Sequence, residues 1–297
     1  MKANRLRGIE KFQNNYAWYF ISIALALVSV FSLYPVISSF LLSFQTGKGA
    51  VYHFNGLGNI VRLYGDTVFR QALVNTFIYF IFQVPVMTVL ALTNATLLND
   101  PKLKFKGFFR TAIFLPSVTS LVAYSVLFKS MFSMDGLVNK ILLQINLIDL
   151  PIPWILHPFW AKVLIIIALT WRWTGYNMIF YLSALQNIDP SIFEAARIDG
   201  ASKTTQFFKI IVPLLKPIIL FTSVMSTIGT LQLFDESVNI TNGGPANATI
   251  TLSHYIYNVL FKFTPNFGYA ATISYVIVFL VAMLAIVQFK VAGDKNE

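Results

Sequence analysis

The chain has 297 residues, of which 56% are hydrophobic and 11% are charged, whereas soluble domains carry about 25% charged residues. Because the apolar residues stand in long uncharged runs, this composition excludes an ordinary soluble protein, and the lack of cysteine excludes a disulfide framework, a thiolate zinc site and a catalytic thiol. The net charge of +10 would suggest nucleic-acid binding in a soluble protein, but in a membrane protein it more often reflects basic residues gathered on the cytoplasmic side.

Six runs are apolar and long enough to cross a bilayer core of about 30 Å, which takes roughly 20 helical residues. We therefore predict an all-α membrane protein with six transmembrane helices. The first run is too long for the apolar part of a signal peptide, so we expect it to be retained as an anchor. In chain order the runs are 12–47 (apolar body 19–44), 71–99, 111–128, 163–188 (interrupted by Arg172), 217–234 and 263–289.

The distribution of basic residues predicts the orientation. If the N-terminus is inside, the inner segments contain 14 Lys and Arg in 68 residues, and the outer segments contain 7 in 91 residues. This asymmetry predicts that both termini are cytoplasmic. We expect cytoplasmic tails at 1–18 and 291–297 and one transmembrane domain at 19–290.

The outer segments contain features of ordered structure. Residues 137–147 have the pattern of a short amphipathic helix, and Trp154 and Trp160 fit an outer interfacial belt. The three histidines are scattered without ligand spacing, so we expect surface residues and no metal site.

The segment between the fourth and fifth runs, residues 186–213, carries the strongest local signals. Asp189 can cap a helix, and Pro190 suits its first position. Gly200 is best able to end that helix in a left-handed conformation, and Ser202 can cap a second helix. These signals predict a short helix, a sharp turn and a second helix on the cytoplasmic side.

The composition of this segment indicates a partner. A helix with an apolar surface outside the bilayer fits a groove in another protein. Small side chains there favour close backbone approach, and Glu194 and Asp199 disfavour an anionic membrane surface. A protein partner is therefore the better interpretation.

The same residues follow a long spaced pattern of Glu-Ala-Ala, three residues, Gly, nine residues and Ile-x-Leu-Pro, with Val212 in place of Leu as the single departure. The pattern resembles that of permease subunits of binding-protein-dependent ABC importers, which implies the type I ABC importer permease fold. The resemblance also implies that this loop couples to a groove of an ATPase subunit. The residues that it assigns to this role are Glu194, Ala195, Ala196, Asp199, Gly200, Ala201, Phe207 and Pro213.

Two further stretches are similar to the carbohydrate-uptake, maltose/oligosaccharide-type branch of this family. They are "WRWTGYNMIFYLSALQNIDPSIFEAARIDGA" and "LQLFDESVNITNGGPANATITLSHYIYNVLFK", the latter followed by "FGYAATISY". The resemblance implies a multi-pass subunit of a sugar importer in the bacterial inner membrane. Its implied partners are a second, homologous permease subunit, two ABC ATPase subunits and an extracellular or periplasmic sugar-binding protein.

The chain lacks a phosphate-binding G-x-x-x-x-G-K-[ST] loop, because Leu42 stands where the first glycine would precede Gly47 and Lys48. We therefore expect ATP and Mg on the partner ATPase, no cofactor on this chain and a transport role without enzymatic activity.

A sugar path should combine aromatic rings with amide and hydroxyl groups. The fourth run offers Trp173, Tyr176 and Asn177 on one helix face, with Phe180 one turn on, although a packing seam would give the same pattern. Arg172 should face a cavity or a partner, or snorkel to the surface. Further candidates are Thr230, Gln232 and Asp235 of the fifth run, where Gln232, Asp235, Glu236 and Asn239 would share a polar face, and Ser117 of the third run, which could equally bond to neighbouring helices.

The turn-rich stretch at Asn242, Gly243, Gly244 and Pro245 is either a plain connector or, as the resemblance implies, a loop that contacts the binding protein.

Two alternatives stay open. The importer could carry a related solute such as a polyol or glycerol phosphate. An ion-coupled transporter that works alone would normally have acidic residues within its spans, and the central parts of these runs contain none.

Overall fold

The computed structural model describes Tyr16, residues 18–48 and residues 51–292. The tails predicted at 1–18 and 291–297 lie wholly or mostly outside these residues. The chain divides into two compact units. Of the described residues, the first comprises those up to Arg62 together with Val259–Tyr275, and the second comprises Leu63–Asn258 together with those from Val276.

The described part of the chain is mainly helical. Its helices are α1 (Trp18–Ser43), α2 (Gly58–Gly65), α3 (Thr67–Asn99), α4 (Lys106–Val118), α5 (Leu121–Met131), α6 (Leu137–Gln144), α7 (Pro158–Gln186), α8 (Pro190–Ile198), α9 (Lys203–Leu214), α10 (Lys216–Leu231), α11 (Asp235–Asn239), α12 (Leu252–Tyr257) and α13 (Phe267–Ala292). Short π-helical turns occur within α1 and α9 and directly after α12, at Ser29–Leu33, Phe207–Ile211 and Asn258–Lys262.

Four of the described helices, α1, α3, α7 and α13, are each long and apolar enough to cross a membrane. Two bent pairs, α4 with α5 and α9 with α10, meet the same criterion when each pair is taken together; their bends are 102° and 70°. The described residues thus contain four to six candidate spans.

The third predicted run is broken in the middle. Thr119 and Ser120 have extended backbone conformations, with ψ of 152° and 131°, and they separate α4 from α5. The Thr119 hydroxyl donates to the Pro116 carbonyl at 2.8 Å. Such local bonds compete with helix continuation, so the expectation of one continuous helix over 111–128 is wrong.

The purely helical expectation is also wrong at residues 45–48 and 51–54, the two antiparallel strands of a hairpin. Strand β1 (Gln45–Lys48) pairs with β2 (Val51–Phe54) in a register that joins Gln45 to Phe54. The β-branched and aromatic residues of β2 suit a pleated strand. The Asn59 side chain donates to the carbonyls of Ser43 and Gln45 at 2.9 and 2.8 Å, which anchors the hairpin to the end of α1.

Within the first unit, α1 packs against the beginning of α13. A Cβ atom on Gly268 would lie 1.9 Å from the Gln45 carbonyl oxygen, so this close approach requires glycine. The Thr272 hydroxyl donates to the Ser43 carbonyl at 3.1 Å, and the Tyr275 hydroxyl donates to the Val36 carbonyl at 2.6 Å.

Within the second unit, α3 packs along α7. Ala91, Ala95 and Ala168 are fully buried, and such small residues let membrane helices approach closely. A cluster around Leu98, Leu185, Ile211 and Leu215 joins α3 and α7 to α9 and α10. A second cluster joins α5 to the first half of α7 and to the end of α11; it contains Tyr124, Phe128, Leu164, Trp154 and Ile240.

A single buried asparagine organises residues 133–154. Helix α6 contains Asn139, whose side-chain oxygen accepts the Ile152 N–H and the Trp154 indole N–H, both at 3.1 Å. Its amide group lies 3.0 to 3.2 Å from the carbonyls of Ser133, Met134 and Ile152. Trp154 is therefore a core residue, which corrects its assignment to an interfacial belt.

Large apolar side chains are exposed along the candidate spans. Examples are Phe20 and Phe31 on α1, Phe82 on α3 and Phe279 on α13. Exposed apolar surface of this extent is unusual in a soluble monomer and marks contact with lipid or with protein partners.

Candidate functional site

The loop at 186–213 has the caps that its sequence predicts. The Asp189 carboxylate accepts the Ser191 N–H at 2.9 Å, and this bond holds the pKa of Asp189 below its ordinary value. Gly200 follows α8 with a φ of 77°. The Ser202 hydroxyl then accepts the Thr205 N–H at 3.1 Å and starts α9.

Helix α8 has an inward and an outward face. Ala196 is buried, and Phe193 and Phe207 pack on the core cluster around Leu98 and Leu185. Of the predicted ATPase-coupling residues, Ala196 and Phe207 thus support the loop from within. The exposed ones are Glu194, Ala195, Asp199, Gly200 and Pro213, with Ala201 half-buried.

The predicted coupling residues leave out the most prominent apolar side chain of this loop. The Ile198 side chain is 86% exposed, and it lies four residues after Glu194 on the outward face of α8. That spacing places two residues on one helix face and could have revealed it. A large apolar side chain beside Glu194 and Asp199 suits insertion into a groove of another protein.

The segment before α4 is connected to this loop. Asp100 Oδ2 lies 3.2 Å from Lys203 Nζ, and Asp100 Oδ1 accepts the Lys102 N–H at 2.9 Å. The Lys102 N–H, and after it the Lys203 ammonium, hold the pKa of Asp100 below its ordinary value. The end of α3 and the start of α9 therefore lie at the same end of the second unit.

A series of aromatic rings follows one face of α7 and crosses to α10. The centroids of Trp173 and Tyr176 are 5.5 Å apart, those of Tyr176 and Phe180 are 5.2 Å apart, and those of Phe180 and Phe221 are 6.1 Å apart. Tyr176 is 38% exposed and Phe221 is 51% exposed. We call these four residues the aromatic face.

Three other predicted path residues lie elsewhere. Asn177 is buried and donates to Met87 Sδ at 3.2 Å and to the Trp173 carbonyl at 3.0 Å. The Thr230 hydroxyl is buried 2.8 Å from Gln83 Oε1, and the Ser117 hydroxyl donates to the Phe114 carbonyl of its own helix at 2.7 Å. The structure thus does not bring Asn177 or Thr230 onto the aromatic face. Sequence reasoning did not single out Gln83, although an amide in the middle of an apolar run could have revealed this buried contact.

Arg172 forms a buried ion pair. Its Nη1 lies 3.4 Å from Oε1 of Glu236 on α11, and the two side chains are 18% and 3% exposed.

The predicted polar face of Gln232, Asp235, Glu236 and Asn239 is wrong, because α10 ends at Leu231 and α11 starts at Asp235. Gln232 is exposed, Asp235 is half-buried, and Glu236 faces Arg172.

The turn-rich stretch after α11 is held by several hydrogen bonds. The Thr249 hydroxyl donates to the Gly244 carbonyl at 2.8 Å, and Asn75 of α3 donates to the Asn247 and Ile250 carbonyls at 3.1 and 2.9 Å. Gly243 is buried, Gly244 and Pro245 are half-buried, and Asn242 is exposed. His254 is buried within bonding distance of Ser237, at 2.8 Å, so its expected place on the surface is wrong.

Comparison with known proteins gives the class of this molecule. A family profile described as "Binding-protein-dependent transport system inner membrane component" matches residues 56–292. A crystal structure of a bacterial ABC transporter involved in the import of the acidic polysaccharide alginate superposes with a TM-score of 0.81 at 20% identity, covering 98% of this chain and 100% of that chain. The fold is therefore that of an ABC importer permease.

Individual relatives agree. The lactose transport system permease protein of Rhizobium radiobacter is 59% identical, with 100% of both chains covered. The arabinooligosaccharides transport system permease protein of Halalkalibacterium halodurans is 33% identical over 98% of this chain and 92% of that protein. The chain belongs to the family of inner-membrane components of binding-protein-dependent transport systems. This confirms the resemblance inferred from the Glu194–Pro213 pattern and makes the chain a transport permease subunit, not an enzyme.

Proposed function

We propose that this chain is one of two permease subunits of an ATP-driven importer in the bacterial inner membrane, and that its substrate is a disaccharide or short oligosaccharide of the lactose type. The relative that is 59% identical carries lactose transport in its name. The observation that carries the sugar assignment within this chain is the aromatic face, which extends over two neighbouring helices and is partly exposed.

The aromatic face suits the apolar ring faces of a sugar. Rings with exposed edges provide flat apolar contacts, while a few polar groups set orientation. We assign Trp173 and Tyr176 to direct contact, and Gln232 and Asp235 to the outer entrance. Arg172, Asn177 and Thr230 act indirectly by holding the helices that carry these groups, whereas the Ser117 hydroxyl bonds within α4 and is assigned no part in the path.

Contacts made by the segments that join the spans support a topology of six spans with both termini in the cytoplasm. Asp100 and Lys203 follow the second and fourth spans and pair with each other. Asn75 bonds to the loop that follows the fifth span, near the opposite end of α3. These contacts fit one permease domain at 19–290, with inner loops at 99–110 and 186–213 and cytoplasmic tails at 1–18 and 291–297.

Coupling to ATP is assigned to the outward face of α8. We place Glu194, Ile198 and Gly200 in a groove of one of two ATPase subunits, which hold the ATP and Mg. Movement of that subunit then moves α8, and the pathway alternates between outward and inward access. The hydrogen-bonded loop at 242–245, on the outer side, is assigned to contact with the external sugar-binding protein.

Substrate assignment is tested by uptake of radiolabelled lactose in a strain that lacks this gene and is complemented with it. We expect unlabelled disaccharides to compete and glycerol phosphate or polyols not to compete.

Tyr176→Ala should reduce lactose uptake on the order of 10-fold through loss of an aromatic contact. The matched control is Tyr64→Ala, because Tyr64 is exposed on α2 outside the aromatic face. Normal uptake by Tyr176→Ala would overturn the assignment of the aromatic face.

Coupling is tested by co-purification of the ATPase with a tagged permease. Ile198→Asp should reduce ATPase recovery, because it places a charge in an apolar groove. Ile145→Asp changes an equally apolar, exposed side chain after α6 and should not alter recovery. Equal ATPase recovery from both variants would remove Ile198 from the contact.

A further inference from the structure

Residues 102–110, which comprise the end of the α3–α4 connection and the first residues of α4, combine positive charge with exposed aromatic rings. Lys102, Lys104 and Arg110 are exposed and Lys106 is half-buried. The intervening rings of Phe105, Phe108 and Phe109 are exposed as well, with Phe105 at 78% and Phe108 at 70%. We call residues 102–110 the basic–aromatic segment.

This charge is not neutralised by acidic residues nearby in the sequence. Between residues 100 and 134 the only acidic side chain is Asp100, and its carboxylate already bonds to the Lys102 N–H and the Lys203 ammonium. The segment therefore keeps a net positive charge next to an apolar helix.

The position of the segment fits the level of lipid headgroups. It lies between the end of the long apolar helix α3 and the apolar part of α4. Phenylalanine at such a junction can enter the boundary between headgroups and acyl chains, while lysine and arginine extend toward phosphate. Clusters of basic residues directly beside a span on the cytoplasmic side attract anionic lipids.

We propose that the basic–aromatic segment binds the headgroups of anionic phospholipids in the inner leaflet. This inference rests on the proposed orientation, which places residues 99–110 on the cytoplasmic side. The outward face of α8 carries Glu194 and Asp199, so the two surfaces differ in charge and suit different partners: α8 a protein groove and the basic–aromatic segment an anionic membrane. Through the Asp100–Lys203 pair, lipid binding would act on the start of α9.

The test is native mass spectrometry of the purified transporter complex with added phosphatidylglycerol or phosphatidylcholine. The wild-type complex should retain phosphatidylglycerol in preference to phosphatidylcholine. The triple variant Lys102→Gln, Lys104→Gln, Arg110→Gln should bind it roughly 100-fold more weakly, given the contribution of each basic residue near a charged surface. The matched control removes three exposed charges elsewhere, with Arg70→Gln, Lys129→Gln and Lys140→Gln, and should retain the lipid.

Equal phosphatidylglycerol retention by the triple variant and the control would overturn the proposal. So would displacement of the lipid by inorganic phosphate alone, which would indicate a site for free anions. Loss of the ATPase from the triple variant with lipid retained would assign the segment to a protein contact and overturn the proposal as well. Lipid retention is measured without sugar, so a failure of lactose uptake in every variant would count against the proposed function alone.

Discussion

The ion pair between Arg172 and Glu236 shows how one charge is tolerated inside this molecule. The guanidinium lies 3.4 Å from a carboxylate that is 3% exposed, and its carbon lies 5.3 Å from the centre of the Trp173 ring. Arg172 therefore connects α7 to α11 beside the aromatic face, which explains a charged residue in an otherwise apolar run.

Glu236→Gln should destabilise the protein by about 3 kcal/mol, because removing one member of a buried pair leaves the other charge uncompensated. The double variant Arg172→Met, Glu236→Leu removes both charges and should recover much of that loss. Asp235→Asn, which changes the neighbouring half-buried carboxylate, should have little effect on stability. Thermal unfolding of the purified complex in detergent measures all three, and a double variant less stable than Glu236→Gln would contradict the pairing.

Asn139 offers a second test at this scale. Asn139→Ala should lower the stability of residues 133–154 by about 2–4 kcal/mol, because several buried N–H and C=O groups lose their partner. Limited proteolysis should then cut this segment while the rest of the chain stays intact. The matched control is Gln144→Ala, at an exposed position of the same helix. Asn146→Ala is unsuitable as a control, because Asn146 has a φ of 53°, which alanine would disfavour. Equal protease resistance of the Asn139 and Gln144 variants would contradict the role of Asn139.

At the scale of elements, the contact between α4 and α7 depends on one glycine. A Cβ on Gly175 would lie 2.0 Å from the Ile113 carbonyl oxygen, so the two backbones touch there. Gly175→Ala should separate the helices and cost about 1–3 kcal/mol through overpacking. Gly107→Ala, on α4 with no atom within 4 Å of the new Cβ, should instead be neutral or slightly stabilising. Thermal unfolding of the two variants gives the comparison, and equal stability would contradict the close contact.

The sequence was most informative about local elements. Asp189, Gly200 and Ser202 specify their caps through bonds within three residues, so α8 and α9 were predictable. The break at Thr119 was harder, because a hydropathy run does not show where a hydroxyl competes for a carbonyl. The hairpin strands at 45–48 and 51–54 were missed because apolar patterning dominated the interpretation of their surroundings.

The candidate site was predictable in composition and less so in geometry. Trp173 and Tyr176 share a face, as their spacing predicts, but Asn177 turns to Met87 on α3. Glu236 was grouped with Gln232 on one helix, while the chain breaks between them. The first error concerns a contact between residues 90 positions apart, and the second a local break in the chain; helix periodicity gives access to neither.

At the scale of the whole molecule, the absence of cysteine makes topology directly measurable. Single cysteines at exposed Lys104 and Thr204 should react with a membrane-impermeant maleimide only after the cells are permeabilised. Single cysteines at exposed Asp135 and Lys140 should react in intact cells. Labelling of Lys104→Cys in intact cells would reverse the proposed orientation, and it would remove the basis for binding of inner-leaflet lipid.

The number of spans decides where the ends of the chain lie. Four or six crossings both place the two termini on one side of the membrane. If only one of the two bent pairs crosses, the chain has five crossings and its termini lie on opposite sides. Reporter fusions at each terminus that are active only in the cytoplasm should therefore both be active. Activity at one end alone would show that α4–α5 or α9–α10 enters and leaves on the same side.

The loop after α11 limits how this sequence can drift over generations. Asn242, Ala246 and Asn247 have φ of 52°, 49° and 60°, a region that costs most residues roughly 1–2 kcal/mol and that glycine and asparagine accept most readily. Random variation at 242 and 247 should thus be filtered toward these two amino acids whatever sugar is carried. At Ala246, a change to glycine or asparagine would relax the backbone. Selection for stability should therefore favour this substitution over changes at 242 and 247, where asparagine is already present.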